Sequence, residues 1–215
     1  MSSLTSEILV LVLWIAFLPL LQWALNLFIK GEVIAPFAAR KISHVLVGVW
    51  VIPFSCWIHR WYLAAIPISM ILAGNVHANV RRADLDRRQK RLFPLVCFVL
   101  PLVLVLFFWN QYPGVVVLAV LSMTLGDTAA ALVGRHWGQH RIAWTGKTWE
   151  GAAANFIVSL LVMVTAGRGF YHQPAIIFVM PAAAVAVLET ILPGEWDNPL
   201  SIVLLLILLR YSWLA

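Results

Sequence analysis

Charge is scarce in this chain: 15 Lys and Arg and 9 Asp and Glu make up only 11% of its 215 residues. A soluble domain carries about a quarter, and no soluble core could bury the 62% of residues that are hydrophobic. What remains is an integral membrane protein, read as a single domain over residues 1–215. Cysteine is nearly absent as well. Cys56 and Cys97 both lie in apolar runs, which excludes a disulfide framework. Low-complexity tracts and internal repeats are missing too, which argues against a repeat-built transporter. The formal net charge of +6 would suit nucleic acid, but the basic residues cluster between apolar segments. That placement marks membrane topology, so no nucleic-acid partner is expected.

Long apolar runs dominate the sequence. The first, Ile8 to Ile29, reaches roughly 33 Å as a helix and can cross a bilayer. It lacks a basic leader and a small-residue cleavage site, and reads as a retained helix. The pattern predicts an all-α polytopic protein with about eight transmembrane helices, near 8–29, 42–58, 61–80, 92–109, 114–133, 151–167, 174–192 and 199–214. With the N-terminus outside, the inward-facing connections hold Lys30, Arg40, Lys41, Arg81, Arg82, Arg87, Arg88, Lys90, Arg91, Arg135, Arg141 and Lys147. Those are 12 of the 15 basic residues; Arg60, Arg168 and Arg210 fall on the other side. The positive-inside rule selects this orientation. The run "RRADLDRRQKR" (81–91) reads as a topology determinant beside anionic lipid, and the eleven tryptophans lie mostly near span ends, as interfacial anchors do.

Against this background a few polar residues stand out. Asp127 lies inside the fifth span, where a carboxylate costs about 2.5–3.5 kcal/mol on insertion scales, so it should face a cavity, a cation or a partner helix. Helical spacing from Asp127 gives Ala131, Gly134 and Gly138. Such a small-residue face lets helices approach closely, or lets a polyanion reach backbone N–H groups. The following "TGKTWEG" imitates a Walker A loop, but Arg141 stands where that loop needs a glycine. Lys147 beside a helix start at Thr148 would still attract phosphate. Glu150, in that first turn, is either a dipole-favoured residue or a metal ligand. Asn155, one turn further, should face the same cavity. "RKISH" (Arg40 to His44) opens the second span. Glu189 closes the seventh, and Asp197 and Asn198 precede Pro199 as capping residues or ligands. Asn75, His77 and Asn79 end the third span on the same side. Carboxylates, a lysine and helix starts at one membrane face suit a Mg²⁺–nucleotide site.

Three stretches, "RKISHVLVG" (40–48), "GDTAAALVGRHWGQHRI…GKTWEG" (126–151) and "ETILPGEWDNPLSIVL" (189–204), resemble the CTP-dependent membrane lipid kinases, the phytol, dolichol and yeast-type diacylglycerol kinases. The middle stretch is also similar to phosphatidate cytidylyltransferases, whose longer acidic signature is missing here. The family's Asp-Asn-Leu-Thr ending is replaced by Asp197-Asn198-Pro199-Leu200-Ser201. The resemblance implies transfer of the γ-phosphoryl group of CTP to a lipid alcohol at the cytoplasmic face of a bacterial inner membrane or an equivalent endomembrane. Phytol, a prenol or a polyprenol is the expected acceptor, with diacylglycerol as a further candidate. By this resemblance Asp127 is a Mg²⁺ ligand or receives the alcohol proton, and Lys147 neutralises phosphate. Gly134 and Gly138, with Gly146 and Thr148, would offer nucleotide contacts, as would Asn155 and Asn198. Glu150, Glu189 and Asp197 are further metal candidates, and Arg40, Lys41 and His44 would hold triphosphate or position the hydroxyl. Cytidylyl transfer and a small cation-coupled transporter are the competing readings; a homo-oligomer is compatible with all of them.

Overall fold

The computed structural model describes residues 3–82, 94–192 and 196–214. Among them the chain forms helices α1 (Leu4–Lys30), α2 (Pro36–Val49), α3 (Val51–Trp57), α4 (Trp61–Arg82), α5 (Leu100–Gln111), α6 (Pro113–Trp137), α7 (Trp149–Tyr171), α8 (Val179–Ile191) and α9 (Asp197–Leu214). A π-helical turn, Leu95–Val99, leads into α5, and a 3-10 turn, Ala175–Phe178, leads into α8. Only Trp50 separates α2 from α3, so the described helices form eight stretches where eight apolar runs were expected. Four are long and apolar enough to cross a membrane: Leu4–Lys30, Pro36–Trp57, Pro113–Trp137 and Trp149–Arg168. Trp61–Gly74, Val96–Gln111 and Ala175–Ile191 are shorter apolar helices. The molecule is an all-α membrane protein.

Local chemistry sets the helix ends. Ser3 caps α1 by accepting from Ser6 N at 3.2 Å, and Thr148 caps α7 by accepting from Gly151 N at 3.1 Å. Proline opens α2 and α6, where its missing N–H costs nothing. The α2 start at Pro36 lies earlier than the expected 42. Arg40, Lys41 and His44 therefore sit inside a helix, not before one. Likewise Arg81 and Arg82 finish α4, while 83–91 lie outside the described residues.

Helix α6 is the centre of the bundle. Some 61% of its apolar stretch is buried, against 17% for α1 at the periphery. Its closest neighbour is α7. A Cβ on Gly134 would stand 2.8 Å from Thr148 Oγ1, and one on Gly151 only 2.9 Å from the Ala130 carbonyl oxygen. Small residues thus bring the two backbones together, as membrane helix packing favours when no hydrophobic force separates lipid from protein. Behind them Trp14, Phe54 and Trp109 form a run of tilted rings, with centroids 5.8 and 5.4 Å apart.

Consecutive stretches alternate in direction, so the bundle has two distinct ends. One gathers the N-terminal part of α2, the C-terminal end of α6, the start of α7, the end of α8 and the start of α9. At the other, Glu7 of α1 is 1% exposed and accepts from Arg60 Nη1 at 2.5 Å and from Arg60 N at 3.3 Å. Arg210 lies over the Tyr112 ring at 4.0 Å and donates to its hydroxyl at 2.8 Å on that same end.

Candidate functional site

A cavity of about 300 Å³ opens at the first end, lined by Asp127, Gly134, Arg135, Arg141, Lys147, Glu189 and Asp197 among others. Residues from the middle and last of the three stretches quoted above therefore face one space. Arg135, Arg141 and Lys147 supply three basic groups there, and Asp127, Glu189 and Asp197 supply three carboxyl groups.

Lys147 is positioned by the loop between α6 and α7. Ile142 N donates to the Lys147 carbonyl at 2.7 Å, and Gly146 N donates to the Ile142 carbonyl at 2.8 Å. Gly146 has φ +70°, a conformation L side chains resist, so glycine is required at this turn. The loop is pinned to α8 through a single carbonyl: Trp144 Nε1 and Thr145 Oγ1 both donate to Thr190 O, at 3.1 and 3.3 Å. So held, Lys147 Nζ donates to Asp197 Oδ2 at 2.7 Å and to Glu189 O at 2.8 Å.

Asp127 has its own cation. Lys41 Nζ donates to Asp127 Oδ2 at 2.7 Å, and His44 Nε2 lies 3.4 Å from the same oxygen. One helical turn of α2 thus presents both side chains to α6. His44 Nε2 is buried and makes no hydrogen bond. Arg40, the neighbour in sequence, is exposed and stacks over Phe37 at 5.8 Å; Arg135 lies over the same ring at 4.5 Å.

Deeper in the bundle, Asn155 donates to Glu189 Oε2 and accepts from Ser159 Oγ at 2.9 Å. Asn155, Glu189, Asp127, Asp197 and Asn198 line a small void behind the main cavity. Asn198 N donates to Asp197 Oδ1 at 2.6 Å, which ties Asp197 into the first turn of α9 itself, where a position just before the helix was expected.

The expectation placed Asp127, Lys147, Glu189, Asp197, Gly134, Gly146 and Thr148 together, and all seven line the main cavity. Other residues stand elsewhere. Glu150 turns aside to His140, accepting from its N at 3.2 Å and meeting Nδ1 at 2.6 Å; it is not part of the lining. Gly138 packs against Thr148 and the Gly134 carbonyl. Gly134 lies inside α6, where its N–H is committed to the helix, so it gives room for close packing and offers no free backbone donor. The start of α7 is similarly occupied, since Thr148 takes the Gly151 N–H and the His140 carbonyl takes the Trp149 N–H at 3.1 Å. His77 is exposed on α4, and the side chains of Asn75 and Asn79 lie outside the described residues. Arg135 and Arg141 were read only as topology determinants. The signal for Arg141 was available: it replaces the very glycine that a phosphate-binding loop would need.

Among the described residues no three His, Cys, Asp or Glu side chains form a metal-binding group. Asp127, Glu189 and Asp197 share a cavity but each is engaged by its own neighbour: Lys41, Asn155 and Lys147. Asp127, Glu189 and Asp197 were expected as candidate metal ligands, and they face the same space without converging on one point. The arrangement fits a Mg²⁺ that comes with a triphosphate, which needs only one or two protein carboxylates.

Comparison with known proteins finds similar sequences among lipid kinases. The chain is 30% identical over 141 residues to a probable chloroplastic phytol kinase of Triticum aestivum, covering 58% of this chain and 46% of that protein. It is 34% identical over 117 residues to a phytol kinase of Synechocystis sp., covering 51% and 50%. It is 32% identical over 97 residues to a dolichol kinase of Schizosaccharomyces pombe, covering 44% and 18%. The chain thus matches about half the length of its phytol kinase relatives. No family model and no solved structure matches it. By sequence, this chain is a relative of the phytol kinases and dolichol kinases.

Proposed function

We propose that this protein is a CTP-dependent lipid-alcohol kinase that moves the γ-phosphoryl group of CTP to the hydroxyl of a membrane alcohol at the cytoplasmic face. The observation that carries this reading is the convergence of Asp127, Lys147 and Asp197 on one cavity at one end of the bundle, in a chain whose relatives are named phytol and dolichol kinases. The cavity falls within the size range of ligand sites, roughly 300–1,000 Å³.

In the proposed step the alcohol oxygen forms a bond to the γ-phosphorus as the bond to the β–γ bridging oxygen breaks, and CDP leaves with that electron pair. The alcohol proton passes to the Asp127 carboxylate, while His44, 3.4 Å from Oδ2, positions the hydroxyl. Lys147, Arg135 and Arg141 neutralise the triphosphate, whose transfer depends on positioning and charge compensation more than on covalent chemistry. Mg²⁺ would supply further charge neutralisation of the phosphates, held through Asp197 and Glu189 or Asp127. Glu150 takes no part in this step. Lys41 would leave Asp127 for the triphosphate as the nucleotide binds.

Incubating the purified protein with γ-labelled CTP, Mg²⁺ and a panel of alcohols tests the proposal. Label on phytol or another prenol is the expected result. Label in released pyrophosphate would mean cytidylyl transfer, and no nucleotide turnover would leave the transport reading. Parallel reactions with ATP, GTP and UTP decide the donor.

A further inference from the structure

A second cavity, of about 140 Å³, lies beside the first but toward the middle of the bundle. Its walls come from α1, α2, α3, α4, α5, α6 and α9, and include Val47, Ile68, Val105, Val120 and Met123. No charged or amide side chain is among the described residues that line it. The two spaces meet at one point: His44 lines the apolar cavity, and its buried, unpartnered Nε2 lies 3.4 Å from Asp127 Oδ2, which lines the polar one. At its outer side the apolar cavity reaches Ile71, which is 37% exposed on α4.

Resting on the kinase reading above, we infer that this cavity binds the hydroxyl-proximal segment of a single-chain isoprenoid alcohol, while the remainder of the chain stays in the bilayer past Ile71. Size sets the limit. A comparable engineered apolar cavity of about 150 Å³ holds one benzene, so 140 Å³ accepts a branched hydrocarbon unit and not a whole long chain. Polarity sets the second limit. Diacylglycerol places two ester groups next to its hydroxyl, while the polar side-chain groups on the walls are those of His44, Thr124, Trp14 and Trp109, the last already donating to the Ile58 carbonyl. With helix backbone groups paired, two esters and a hydroxyl would compete for the few that remain. Recognition is therefore decided within the first few carbons from the hydroxyl, and chain length beyond them matters little.

Acceptor competition in vesicles tests this. At equal mole fraction, phytol and a long polyprenol should give kcat/KM values within about tenfold of one another, while diacylglycerol falls about a hundredfold below them, as incompletely satisfied buried ester carbonyls require. Val120→Phe, which fills the cavity, should lower prenol turnover at least roughly tenfold, the effect of losing about two buried methylene contacts. Binding of labelled CTP by equilibrium dialysis should be unchanged. Comparable turnover of diacylglycerol, or an unaffected Val120→Phe, overturns the inference. Photolabelling separates this result from the kinase reading, because it needs no catalysis. A prenol with a diazirine near its hydroxyl should attach to cavity residues such as Val47 and Val120. Attachment only to outward-facing residues such as Val103 and Phe107, 58% and 51% exposed, would overturn the cavity assignment even if CTP turnover is found. Cavity attachment without turnover would overturn the kinase reading alone.

Discussion

Lys41 and Asp127 meet at 2.7 Å across 86 positions of sequence, and the same ammonium lies 3.5 Å from the Asp127 carbonyl oxygen. A carboxylate at membrane depth is thus compensated by a lysine one and a half turns into the neighbouring helix. Asn at 127 would preserve shape but could neither take a proton nor balance Lys41. Asp127→Asn should lower phosphoryl transfer by about a hundredfold to a thousandfold or more, with the protein still recovered in the membrane fraction. Label transfer and a membrane-fraction blot check both halves.

Lys147 and Asp197 act as a unit, so their substitutions should not add. Nucleotide affinity of Lys147→Met, Asp197→Asn and the double variant, measured by equilibrium dialysis, should show a coupling energy of about 1–3 kcal/mol. Additive effects would place the two side chains in independent roles.

The close approach of α6 and α7 makes a steric prediction. A methyl on Gly151 would press on the Ala130 backbone carbonyl, which cannot swing away. Gly151→Ala should therefore cost about 1–3 kcal/mol, seen as a lower Tm in detergent. Gly74 is the internal control: a Cβ there meets nothing within 4 Å. Gly74→Ala should be neutral or stabilising by up to about 1 kcal/mol, from helix propensity.

Removal of divalent cations should stop turnover without lowering Tm. The described residues form no three-residue metal group, so the proposed Mg²⁺ is expected to bind with the nucleotide and to add no stability to the free protein by mass action. A chelator titration followed by both activity and thermal unfolding tests this. A large drop in Tm would instead indicate an ion held without nucleotide.

Glu150→Gln should leave turnover near the parent level, because Glu150 faces His140 outside the cavity lining. Loss of activity comparable to that of Asp127→Asn would return Glu150 to the catalytic site.

Much of the fold was legible because span length and basic-residue placement are one-dimensional signals. Residues 8–29 and 114–133 read directly as α1 and α6. Two acids of the site were legible for a related reason: Asp127 and Glu189 lie at membrane depth, where a carboxylate needs a partner, whereas Asp197 could equally have been a helix cap. Pairing was not. Nothing in "RKISH" says that Lys41 reaches Asp127 while Arg40 turns to Phe37, because that choice depends on where α2 begins and how it is rotated. The glycines show the same limit. Their spacing from Asp127 suited either anion binding or helix contact, and only the position of Thr148 against both shows the contact. The apolar cavity could not be foreseen at all, since it is a void left between seven helices and no residue type marks it.

The Glu7–Arg60 pair at the far end has a consequence for biogenesis. During synthesis Glu7 emerges 53 residues ahead of its arginine, so α1 enters the bilayer before that counter-charge exists. Until the α3–α4 turn is delivered, α1 carries this acid without Arg60. The clasp can close only once α4 has begun, so seating of α1 against Arg60 is conditional on arrival of that later segment.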